Sequence, residues 1–216
     1  MVKIAVVLSG CGNMDGSEIH ESTCTLLNIE KQGAQYQCFA PNINQSSVIN
    51  HLSRRNEMES RGVLIESARI ARGNILDLAE YRAGDFDAII FPGGLGAAKN
   101  LCTYADKGTD CVVNFDVQNA LLSSFRKIPI GAICIAPVLL AKVLGHHGIT
   151  VTIGNDTDTA IDIKQTGAKH EEHNSEETCV DIENKIVTTP AYMLAKSIKE
   201  VDTGISNLIK ELIRLI

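Results

Sequence analysis

Two rhythms of apolar and polar residues alternate along this chain. Short apolar blocks bounded by Gly, Pro or Asn read as buried strands: "KIAVVLS" (3–9), "AQYQCFA" (34–40), "DAIIFPGG" (87–94), "IPIGAIC" (128–134) and "ITVTIG" (149–154). Between them apolar residues recur at helical spacing. Ile19, Leu26, Leu27 and Ile29 predict a helix that begins near Ser17, capped by Asp15 or Ser17, and stops at Gly33. "GVLIESARIAR" (62–72), "VQNALLSSFRK" (117–127) and "PVLLAKVLG" (137–145) predict three more helices. "TCVDIENKIVTTP" (178–190) reads as a hairpin turning at Glu183-Asn184-Lys185, and 191–216 reads as helical to its end, weakened in the middle by Gly204. Residues 41–61 are polar and poorly periodic, an excursion with room for a short helix; long excursions in compact domains are often functional. Strands alternating with helices predict one α/β domain over residues 1–216, a doubly wound, mainly parallel sheet with helices on both faces.

Composition narrows the classes. The 216 residues are 44% hydrophobic and 21% charged, ordinary for a globular protein. A net charge of −6 argues against a nucleic-acid surface. The strongly apolar uncharged stretch from Ile128 to Ala141 contains Gly131 and Pro137 and is shorter than the ~20 residues a membrane helix needs. "MVKIAVVLSG" fits a first strand better than a signal peptide. The 7 cysteines are odd in number, scattered and without C-x-x-C, so a disulfide framework is not expected and a reducing cytoplasm fits.

Ligands of open parallel sheets bind at the carboxyl ends of the strands. Three unusual strand ends should meet there: "SGCGNMDGSEIHE" (9–21), "FPGGLGAAKN" (91–100) and "AICIAP" (132–137). The glycines of "PGGLG" either make a tight turn or let backbone N–H groups approach an oxyanion. No G-x-x-x-x-G-K-[ST] and no G-x-G-x-x-G supports a nucleotide site. Cys134, between a strand and a helix, is either a packed core thiol or a nucleophile beside a helix N-terminus. Glu18 and Glu21 are either solvated residues near a cap or, for one of them, a carboxyl facing Cys134, protonated and able to move protons. His170 and His173 in "HEEH", and the pair His146-His147, raise a metal reading. Standard partner spacings are missing, so solvated loop histidines and no metal are expected.

The stretches "LSGCG", "DGSEIHE", "CFAP", "VINHL", "LIESARIARG", "FPGGLGAAKNL", "CIAP" and "NKIVTTPAYMLA", in order over nearly the whole chain, resemble the class I glutamine amidotransferase-like superfamily. Within its DJ/PfpI branch they are most similar to the ElbB-type isoprenoid-biosynthesis (lycopene-enhancing) proteins, known as glyoxalases. The resemblance implies a flavodoxin-like fold, with Cys134 as the elbow nucleophile, Glu21 as its acidic partner, and oxyanion donors on Gly93, Gly94 and Ile135. It implies a cofactor-free enzyme that converts glyoxal or another small 2-oxoaldehyde to a 2-hydroxy acid through a Cys134 hemithioacetal. It also implies a homodimer, with 41–61 as a candidate to cross the interface. Two departures stand out. Where many relatives carry a histidine after the elbow helix, this chain reads "TIGND"; where amidotransferases carry H-x-E, it reads "TTPAYM". The H-x-E of His170 and Glu172 precedes the hairpin, so a Cys–Glu pair without histidine is expected rather than a glutaminase triad. A thiolate populated below the ordinary thiol range is expected for the nucleophile. The alternative function is a non-catalytic redox or metabolite sensor, or a regulatory partner, on the same scaffold.

Overall fold

A computed structural model describes residues 1–216. The strands are β1 (Lys3–Val7), β2 (Gln35–Ala40), β3 (Ile49–Asn50), β4 (Arg55–Asn56), β5 (Ile75–Asp77), β6 (Ala88–Phe91), β7 (Ile130–Ile133), β8 (Thr150–Val151), β9 (Lys169–His170), β10 (Cys179–Asp181) and β11 (Ile186–Thr189). The α-helices are α1 (Ile19–Lys31), α2 (Val63–Ile70), α3 (Leu95–Lys99), α4 (Tyr104–Lys107), α5 (Phe115–Ser124), α6 (Pro137–Leu144), α7 (Thr157–Gln165) and α8 (Ile198–Arg214). Seven strands form one sheet in the order β10-β11-β7-β6-β1-β2-β5, parallel except for the β10–β11 hairpin.

Side-chain alternation along the strands feeds two cores. Ile4, Val6, Ala88, Ile90 and Val187 face α1, α2 and α8, whereas Ala5, Val7, Ile89, Phe91 and Ile130 face α5, α6 and α7. This is the flavodoxin-like, doubly wound arrangement that the pattern predicts. The chain runs outward from β1 to β2 and β5, then returns to β6 on the other side of β1. The crevice between the carboxyl ends of β1 and β6 is therefore the topological switch point.

Several boundaries differ from expectation, each for a local reason. Of 149–154 only Thr150–Val151 is a strand, and it pairs with β9 outside the main sheet. The Thr152 N–H donates to Thr188 Oγ1 (2.8 Å) and the Gly154 N–H to Thr152 Oγ1 (3.0 Å), so side chains replace the ladder there. The terminal helix begins only at Ile198, because Ser197 caps it, the Glu200 N–H donating to Ser197 Oγ (3.2 Å) while Glu200 Oε2 accepts from the Lys196 N–H (3.0 Å). The helix expected over 117–127 is shifted to Phe115–Ser124, set by Asn114 accepting from the Asp116 and Val117 N–H groups. The excursion 41–61 contains the β3–β4 hairpin and no helix. The β10–β11 hairpin turns where expected, with Asp181 accepting from the Asn184 backbone and side chain.

Candidate active site

The sheet's carboxyl edge brings together the three predicted strand ends. Cys134 extends β7 by one bond, its N–H donating to the Thr189 carbonyl (2.9 Å). Its φ then swings to +63°, a left-handed conformation that costs a side-chain-bearing residue on the order of 1–3 kcal/mol. Such a strand-to-helix turn projects the nucleophile of an elbow. The first turn of α6 follows directly, capped by no side chain.

Glu21 arrives from the first turn of α1. That helix starts at Ile19 and not near Ser17, because both expected caps have other partners: Ser17 Oγ accepts from the Ser9 N–H (2.8 Å) and Asp15 Oδ2 from the Ile49 N–H (2.6 Å). Glu18 is the cap, its Oε2 accepting from the Glu21 N–H (2.7 Å). Glu18 thus has the ordinary role, and Glu21, one helical turn further on, is fully buried.

Two backbone groups hold the Glu21 carboxyl. The Gly93 N–H donates to Oε2 (3.0 Å) and the Tyr192 N–H to Oε1 (3.2 Å). Gly93 must be glycine: a Cβ there would lie 2.5 Å from both Cys134 Cβ and Glu21 Oε2. The Cys134 side chain lies beside the same carboxyl and feels its charge, and the backbone N–H groups of Gly94 and Ile135 favour its thiolate. Of the three expected oxyanion donors, the Gly93 N–H is therefore occupied by Glu21, which leaves Gly94 and Ile135.

Burial dominates the electrostatics. Desolvation, then the charge of Glu18, pushes Glu21 up to about 8 against the hydrogen bonds it accepts from the Tyr192 and Gly93 N–H groups. Cys134 is 8% exposed, and its pKa is raised well above the ordinary thiol value by desolvation first, then by the charge and hydrogen bond of Glu21. The N–H groups of Gly94 and Ile135 oppose this without reversing it. The expectation of a depressed thiol pKa is thus corrected: sequence spacing shows a helix N-terminus but not how completely the pair is buried.

A cleft of about 550 Å³ is lined by Asn13, Glu18, Ile19, His20, His51 and Tyr192, with neither Cys134 nor Glu21 in its wall. Tyr192 links the cleft to the buried pair, with its N–H on Glu21 and its hydroxyl 2.8 Å from His20 Nδ1. The pattern of the sequence did not single out His20 or Tyr192. The signal for Tyr192 was the departure itself: "TTPAYM" stands where amidotransferases carry H-x-E, and Ala191 at φ +42° aims the next N–H at Glu21. His51 reaches the cleft from the β3–β4 hairpin, which docks on the 10–16 loop of its own chain. The other histidines lie elsewhere. His170 Nε2 accepts from the Ile153 N–H (3.3 Å), and the His146 and His147 rings sit 3.9 Å apart beside Phe125.

No protein-family model matches the chain. A human protein named glutamine amidotransferase-like class 1 domain-containing protein 3, mitochondrial, is 47% identical over 225 residues, an alignment covering 99% of this chain and 83% of that protein. The chain belongs to this glutamine amidotransferase-like class 1 family. Similar relatives are the rat ES1 protein homolog, mitochondrial, at 46% identity (99% of this chain, 84% of that protein), and the zebrafish ES1 protein, mitochondrial, at 35% (98% and 85%). A crystal structure of an isoprenoid biosynthesis protein with an amidotransferase-like domain from Ehrlichia chaffeensis superposes with a TM-score of 0.93 at 35% identity, over 100% of this chain and 99% of that one. Fission-yeast DJ-1 shares the fold alone, at a TM-score of 0.60 and 15% identity over 98% of this chain and 92% of that one. The family assignment agrees with the resemblance read from the sequence, and the DJ-1 and PfpI neighbours share its fold. The expected compartment was the cytoplasm, whereas three curated relatives are named mitochondrial. No helix is long and apolar enough to cross a membrane.

Proposed function

We propose that this chain is a cofactor-free glyoxalase-type enzyme acting on glyoxal and related small 2-oxoaldehydes. The observation that carries the reading is the buried Cys134–Glu21 pair, packed side by side at Gly93, with the backbone N–H groups of Gly94 and Ile135 favouring the thiolate. As the sulfur attacks the aldehyde carbon, Glu21 in its ionised form, a fraction that grows as pH nears 8, takes the thiol proton. The developing alkoxide is held by the Gly94 and Ile135 N–H groups and is protonated to give the hemithioacetal. Glu21 then removes the carbon-bound proton, and the neighbouring carbonyl becomes the second hydroxyl of an enediol. Returning a proton to the far carbon leaves a thioester. Water hydrolyses it, releasing the 2-hydroxy acid and restoring the thiol. The two carbons exchange oxidation states and no external oxidant is needed. A carboxyl with a pKa near 8 can both accept and return protons at neutral pH.

A sensor built on the same thiol has less support, because oxidation sensors rely on accessible, populated thiolates and Cys134 is buried with a raised pKa. A homodimer belongs to the same reading. Leu52 and Met58, in and beside the β3–β4 hairpin, are 96% and 105% exposed on the isolated chain, and a second copy would cover them. The printed name of the Ehrlichia relative suggests a setting linked to isoprenoid biosynthesis, and seven free cysteines suit a reducing compartment, the cytoplasm included. A panel of aldehydes and amides assayed against the protein and its Cys134→Ala form tests the proposal. Turnover of 2-oxoaldehydes that vanishes in the variant is expected; hydrolysis of amides, or activity that survives, would overturn it.

A further inference from the structure

A second group of reactive side chains lies at the edge of the sheet, away from the Cys134 cleft. The geometry points to Glu171, His173 and Cys179 as the ligands of a divalent transition-metal ion, with zinc the best chemical match. One donor atom from each lies within 4.8 Å of the other two. His173 Nε2 is 3.5 Å from Glu171 Oε2, which is 3.9 Å from Cys179 Sγ. Bonds of about 2.0–2.3 Å in a tetrahedron place ligand atoms roughly 3.3–3.8 Å apart, so only small movements would close the shell. Thiolate, imidazole and carboxylate together suit zinc better than magnesium or calcium, which prefer oxygen donors.

The surroundings suit an ion. Cys179 is 2% exposed at the start of the edge strand β10, a buried sulfur aimed at the group, whereas Glu171 is 61% exposed and leaves a side open for a fourth ligand such as water. On the far nitrogen of His173, Glu177 Oε2 stands 3.9 Å from Nδ1 and is itself fixed by the Asn174 N–H (2.9 Å). A carboxylate behind a ligating imidazole sets its tautomer and strengthens it as a donor. The loop that carries the group is anchored to the fold: Asn207 Nδ2 donates to the Glu176 carbonyl (3.0 Å) and Thr189 Oγ1 to the Glu177 carbonyl (2.8 Å). The ligands are therefore held before any ion arrives. The H-E-E-H spacing that fails as a metalloprotease motif supplies one histidine here, and the missing donor comes from Cys179, six residues on in the hairpin. The site is separate from the aldehyde chemistry, which needs no metal.

Titration of the full-length, metal-stripped protein with Co²⁺ and with Zn²⁺ tests the assignment. Thiolate bound to Co²⁺ gives a near-ultraviolet charge-transfer band. One Co²⁺ per chain with that band is expected in the wild type and in Cys134→Ser, which controls for the other reactive thiol. The band should be lost in Cys179→Ser, and competition with a chromophoric chelator should show Zn²⁺ binding weakened 10-fold or more in His173→Gln and Glu171→Gln, both changes at the surface loop. Binding without the band, a band that survives Cys179→Ser, surface-loop variants that bind like the wild type, or no stoichiometric binding at micromolar metal would each overturn it.

Discussion

At the scale of single residues, the buried carboxyl of Glu21 fixes what can be measured. Folded, it keeps its proton to about pH 8; unfolded, it releases it near the ordinary 4.5. Between those values the unfolded chain loses a proton that the folded chain retains, so the contribution of Glu21 to stability is fully present below 4.5 and is lost as pH rises toward 8. The loss is at most about 5 kcal/mol for such a shift. Urea unfolding at pH 5 and pH 8 should show this fall in the wild type and a flatter profile in Glu21→Gln, whose amide does not titrate. Alkylation of Cys134 by iodoacetamide, followed by mass spectrometry, should be slow at pH 6, no faster than that of the half-exposed Cys11, and should rise through pH 8. A rate already level below pH 6 would show a depressed thiol and contradict the burial argument. Gly93→Ala should disrupt the pair, since its methyl would collide with both Cys134 and Glu21, and should destabilise by about 1–3 kcal/mol. Cys134 and Glu21 were legible as candidates in the sequence. The environment that sets their protonation was not, because burial depends on α1, β7 and the 190–193 turn meeting from distant parts of the chain.

Among the elements, the central strands were read well because a strand buried on both faces is a plain apolar block. β6 and β7 are buried at every position. The three-residue β5 and the short α3 and α4 carry too few residues to show a period, and α7 has a mostly polar face toward solvent with Ala160 and Ile163 buried. Residues 149–154 misled because an apolar, β-branched run does not reveal that Thr188 and Thr152 will satisfy its backbone. Gly204 is the clearest reversal. From propensity it is a weak point worth about 1 kcal/mol to Ala. In the fold it lets α8 press against the loop carbonyl of Ser175, and a Cβ would also lie 3.0 Å from Thr189 Oγ1. Gly204→Ala should therefore lower the midpoint of thermal unfolding, where a helix-only argument expects a rise. A raised midpoint measured by calorimetry would show that the loop yields easily.

For the whole molecule, the sheet order places the switch point between β1 and β6, and the loops after β1, β6 and β7 bring Glu21, Gly93 and Cys134 together there. That convergence follows from the alternating βα pattern, so it was legible before any coordinates. How copies associate was not, because exposed residues obey no period. Sedimentation at micromolar concentration should give a dimer, and Leu52→Glu with Met58→Glu should shift it toward monomer if the hairpin lies in the interface. With no histidine on Cys134, incubation with glutamine should release no ammonia. Release that depends on Cys134 would restore the amidotransferase chemistry of the family name.

The central claim is that Cys134 and Glu21 together isomerise a 2-oxoaldehyde. It is tested most directly by following carbon-13-labelled glyoxal by NMR with the wild type, Cys134→Ser and Glu21→Gln at pH 8. The wild type should form glycolate well above the buffer rate, and each variant should lose on the order of 10²-fold or more, the scale of a missing nucleophile or general base. Glycolate formed equally by the wild type and Cys134→Ser, or no faster than in buffer alone, would contradict the account.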